Sequence, residues 1–107
     1  MKQIRQGDIL LVKVEGVEIP QDKEVVSMVI LAEGELTGHA HTLIAEKILD
    51  WEIGGQRYIR ILGNERGELS HQDHDPAPVR VLDPEVTYRV IPQKEVSLEN
   101  EWRKVQD

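Results

Sequence analysis

Turn-forming residues cut this chain into short apolar runs at intervals of about ten residues, a spacing that suits strands and leaves little room for helices. "GDILLVKV" (7–14) is apolar on both faces around Ile9–Val12, and "EVVSMVILAE" (24–33) reads the same way. "HAHTLIA" leads into "EKILDWEI", and Gly54-Gly55 then predicts a tight turn into "QRYIRIL", which makes a hairpin. "GNERGE" (63–68) and "HDPAP" are further turns, the second with two prolines unsuited to a strand centre. "VRVL" and "VTYRVIPQ" follow, and in the latter Val86, Tyr88 and Val90 alternate with polar neighbours, as in a half-buried strand. Seven or eight short strands predict an all-β fold, a small barrel or sandwich, in a single domain over residues 1–107. The tail "SLENEWRKVQD" suits a short C-terminal helix, with Ser97 as its N-cap and Leu98, Trp102 and Val105 on one side. The polar segment "EGVEIPQDKE" (15–24) is expected to be a surface connection. A β-domain of this size leaves sheet edges, so a homodimer is expected.

Charge and composition narrow the function. There are no cysteines, which excludes both a disulfide framework and a thiolate metal site. Thirteen basic against twenty acidic residues give a formal charge of −7, and no basic stripe stands out to attract phosphate. Nucleic acid is therefore disfavoured as a partner. The N-terminus is charged at once and lacks the apolar run of a signal peptide, and no segment is long and apolar enough to span a bilayer. A cytoplasmic location without membrane contact is expected.

All four histidines fall in two pairs. His39 and His41 stand two apart in "GHAH", so on a strand both project to one face, ringed by the small residues Thr37, Gly38, Ala40 and Thr42. His71 and His74 stand three apart in a turn before Pro76, beside Asp73 and Asp75. Imidazole is the commonest metal ligand near neutral pH. The two pairs, brought together, would hold one divalent metal ion: zinc, iron, nickel, copper or manganese. An open position on that ion would let it activate water or bind a small anionic substrate. The same rings could instead act without metal, as general acid and base in a phosphodiesterase or ribonuclease type of hydrolase. A third reading is a non-catalytic binding or assembly module with structural histidines. Ser70 lies next to His71, but adjacent strand residues face opposite ways, which argues against a Ser–His relay.

The stretch "GELTGHAHTLIAEKILDWEIGG" resembles the first conserved motif of the cupin superfamily: a glycine, HxH, a glutamate and a closing glycine. The resemblance implies a small β-barrel in which His39, His41 and Glu46 ligate a metal together with a later histidine, His71 or His74. "RGELSHQDHDP" lacks the PxG and asparagine of the second cupin motif. On a regular strand Glu46 would face away from His41, so the implied ligand set needs a bulge between them. Over most of its length the chain also resembles a set of small uncharacterised prokaryotic proteins with "QGD", "GHAH", a later HxxH and a "YRV" strand, a likeness that implies no particular activity.

Trp51 and Trp102 are expected to anchor a core or an interface, and Asp8 to form a turn. Arg57 and Arg60 lie on opposite faces of one strand and are expected in solvent, unless one face lines a cavity, where an arginine could meet an anion.

Overall fold

A computed structural model describes residues 3–7, 9–33, 40–71 and 78–92. Eight strands build it: β1 (Gln3–Gln6), β2 (Ile9–Val14), β3 (Val26–Glu33), β4 (Ala40–Ile53), β5 (Gln56–Ile61), β6 (Gly67–His71), β7 (Arg80–Leu82) and β8 (Thr87–Pro92). All pairings are antiparallel, in the order β1-β2-β8-β5-β4-β6-β7, with β3 on the other edge of β4. The fold is all-β, a barrel-like sheet that closes almost completely. Among the described residues there is no helix, so none is long and apolar enough to cross a membrane. The helix expected in the tail falls within 93–107, outside the described residues, as does Trp102.

β4 organises the sheet because it is long enough to serve two halves. Its first part pairs with β6 through His41–Ile44, and its last part pairs with β5 through Ile48–Ile53. Between them Glu46 and Lys47 are consecutively exposed, which marks the point where the strand switches the face it buries. The hairpin from β4 to β5 turns on Gly54 and Gly55, both at positive φ (58° and 80°), a pair of angles that glycine adopts without steric cost.

Inward-facing aliphatics fill the barrel: Leu11, Leu43, Ile48, Ile59, Leu69 and Leu82 are all fully buried, and Tyr88 is the largest side chain among them. The Tyr88 hydroxyl accepts a hydrogen bond from the Asp83 backbone N–H at 3.0 Å. A second, smaller cluster of Leu49, Trp51 and Tyr58 is covered by Val14, Val17 and Leu62, so the 15–25 connection does contribute packing. Trp51 is an anchor, as expected.

The two ends of the strand order, β1 and β7, share no backbone ladder. Side chains bridge the gap instead. Arg80 donates to the Arg5 carbonyl at 3.2 Å, and Gln6 reaches the carbonyls of Leu69 and Pro78. This seam carries the histidines.

Candidate functional site

The site begins with a two-residue hairpin turn. Gln6 pairs with Ile9, so only Gly7 and Asp8 connect β1 to β2. Gly7 takes φ +53°, the left-handed region. A Cβ at Gly7 would come within 3.3 Å of His41 Cε1 and 3.6 Å of His71 Cε1, so the turn lies against the edges of both rings. Gly7→Ala is expected to cost about 1–2 kcal/mol for the left-handed backbone alone. The crowding against His41 adds to that figure, and urea denaturation measures the total.

His41 stands at the start of β4, directly opposite His71 at the end of β6. That register, rather than a shared turn, brings an early and a late histidine together. Their rings stack with centroids 4.2 Å apart and planes 8° from parallel. His41 is buried and His71 is half-buried. His71 is thus the last residue of a strand, where the sequence suggested a turn.

Gln6 fixes the chemistry of His41. Its Nε2 donates to Leu69 O at 2.7 Å and to Pro78 O at 3.0 Å, which uses both amide hydrogens. The reverse orientation would set the amide oxygen against two carbonyl oxygens. Gln6 Oε1 is therefore the acceptor that faces His41 Nδ1 at 2.9 Å, and His41 carries its hydrogen on Nδ1. In the neutral ring the lone pair then sits on Nε2, on the edge beside Gly7. A hydrogen bond that fixes one ring nitrogen so that the other can ligate is the usual arrangement around metal-bound histidine.

Two of the four candidate histidines are thus adjacent. His39 and His74 lie outside the described residues, as do Asp8, Asp73 and Asp75, though each neighbours this barrel end in sequence. Among the described residues no group of three His, Asp or Glu is placed to hold an ion. Glu46, implied as a ligand by the cupin likeness, is exposed on the outer face, whereas His41 points inward. The stack itself sets a condition. An ion lies in the plane of each imidazole that binds it, so two parallel rings 4.2 Å apart cannot share one until a ring turns. His71 is the more accessible of the two rings.

Arg57 departs from its expected place in solvent. It is half-buried and makes a two-pronged pair with Asp50 at 2.8 and 2.7 Å, and its third contact is the Leu31 carbonyl at 3.2 Å. The Asp50 hydrogen bonds hold the guanidinium above its ordinary range, against the opposing pull of burial. Arg57 also lines a cavity of about 220 Å³ with Leu31, Glu52, Arg89, Val90 and Pro92. Strand polarity puts this cavity at the barrel end that holds the histidines, since Pro92 pairs with Ile9 and position 32 pairs with His41. Arg60 pairs with Thr87 and Glu85 instead.

Gln6 is the residue of this candidate site that sequence reasoning missed. A glutamine before a glycine carries no signal until three strands place it beside a histidine.

Residues 5–93 match a family described as a domain of unknown function, DUF8820. The chain belongs to that family. Nearly the whole described barrel of this DUF8820 domain lies within the match, including Gln6, His41 and His71. No curated protein and no solved structure matches the chain.

Proposed function

We propose that the seam end of the barrel is a divalent-metal site built on His41. The observation that carries this reading is the Gln6 amide, locked by two carbonyls, which presents His41 with its lone pair on Nε2. His71 joins by leaving the stack, and His39 and His74 are the candidates to complete the set. A bound ion would activate water or polarise a small anionic substrate. Arg89, which lines the neighbouring cavity, is the group that would meet that substrate's charge.

The test is metal content of protein purified without a nickel column. A stoichiometric ion is expected, together with its loss in His41→Ala and in His71→Ala, and a lower melting temperature after chelation. Protein that takes up no zinc, nickel, iron or manganese, and melts unchanged in chelator, would overturn the reading.

A second reading draws on the parallel stack. Rings that stay face to face serve as packing, and His41 with Gln6 then acts as a structural strut in a non-catalytic module. In that case His41→Ala lowers stability while no variant changes metal content.

A further inference from the structure

We propose that the cavity lined by Arg57 recognises a small aliphatic zwitterion of the amino-acid class, its carboxylate on Arg89 and its ammonium group on Glu52. This names the ligand of the site proposed above. It rests on that reading for the chemistry that follows binding, while the recognition itself uses no histidine.

Four polar residues line this cavity of about 220 Å³, and two of them are already committed. The Arg57 guanidinium is held by Asp50 and the Leu31 carbonyl, and the Gln56 amide oxygen accepts from the Tyr58 hydroxyl at 2.8 Å. Arg89 and Glu52 remain. Among the described residues neither makes a hydrogen bond or an ion pair, with each other or with any neighbour. A half-buried arginine that has lost part of its water and gained no partner calls for an anion.

Strand register keeps the two charges apart. Glu52 faces Arg57 across β4 and β5, and Arg57 faces Val90 across β5 and β8. Glu52 and Arg89 therefore stand two strands apart, with backbones roughly 10 Å from each other. Opposite charges that share a cavity without meeting leave a place for a molecule that carries both signs.

The same inventory argues against other anions. A phosphate is held by several cations or by a nest of backbone N–H groups. Among the described lining residues Arg89 is the one free cation, and Glu52 repels a second negative charge. The formal charge of −7 also works against polyanions and leaves a neutral zwitterion untouched. Leu31, Val90 and Pro92 supply an apolar wall for an aliphatic side chain. The cavity is smaller than the roughly 300–1,000 Å³ of sites for larger ligands, which fits a molecule of amino-acid size.

The experiment is isothermal titration of the full chain with L-leucine, 4-methylpentanoate, 3-methylbutylamine and inorganic phosphate. The second and third probes are leucine without its ammonium group and without its carboxylate. Leucine is expected to bind, and the other three at least about tenfold more weakly, the scale of one charged hydrogen bond. Arg89→Gln should lose leucine. Glu52→Gln, at an exposed position where folding is not at stake, should bind leucine and 4-methylpentanoate alike. Metal content, read on the same samples, should not change in either variant. Leucine binding to a metal-free chain sinks the metal reading and leaves this one standing. A chain that ignores leucine overturns the proposal, whatever its metal content. Binding that survives Arg89→Gln overturns it too, as does phosphate or 4-methylpentanoate binding as tightly as leucine to the wild type.

Discussion

Gln6→Leu is expected to lose roughly 3 kcal/mol of stability, because it orphans two buried groups, each worth about 1–3 kcal/mol when left without a partner, and takes the donor from a third, part-buried carbonyl. The carbonyls of Leu69 and Pro78 lose their donor, and His41 Nδ1–H loses its acceptor. Leucine nearly fills the volume, so the effect reports hydrogen bonding and not a cavity. For a domain of this length that loss lowers the melting temperature by about 15 °C. Gln6→Glu is no rescue despite its shape, since it turns a carboxyl oxygen toward the same two carbonyls. If His41 ligates an ion, Gln6→Leu should also weaken metal affinity by about 10–100-fold, the usual cost of removing such a supporting bond. Melting curves with and without metal separate the two effects. A stability change under about 1 kcal/mol would show that the network contributes nothing net.

Tyr88→Ala should be the most damaging single truncation. The ring is fully buried at the centre of the barrel core. Aromatic-to-alanine changes at such positions cost about 3–5 kcal/mol, against a total of roughly 5–15 kcal/mol for a domain of this size. Tyr88→Phe keeps the packing and removes only the acceptor of the Asp83 N–H, so about 1 kcal/mol is expected. The phenol adds a pH dependence that the phenylalanine variant lacks. Burial pushes Tyr88 above its ordinary value of 10.0. The folded state therefore holds this proton more tightly than the unfolded state does. The resulting stability is fully present below pH 10 and is lost as pH rises through the higher folded value. Denaturation midpoints on either side of pH 10 should fall for the wild type and fall less for Tyr88→Phe. Parallel curves for the two proteins would show that Tyr88 does not carry the alkaline loss.

What the sequence made legible was the part written in local chemistry. Glycine, proline and acidic turns delimit β2, β3, β5, β7 and β8, and Gly54-Gly55 marks the β4–β5 hairpin. β1 was hidden because Ile4 is its only apolar residue and its other inward residue is Gln6. The end of β6 was obscured by the prolines that follow, so His71 read as part of a turn. The pairing of His41 with His71 is a matter of strand register across the barrel, which no local pattern encodes. Arg57 was closer to readable. Once the hairpin register is fixed, Asp50, Glu52 and Arg57 share a face, and the diagonal pair follows.

The seam between β1 and β7 has a thermodynamic consequence. The bonds that orient His41 are the same bonds that fasten the two free margins of the sheet. Anything that grips His41 Nε2 therefore draws its strength from a ring held by the clasp, and it stabilises the clasp to the same degree. Occupancy and closure are two faces of one equilibrium in this molecule: loosen either and the other yields by an equal free energy.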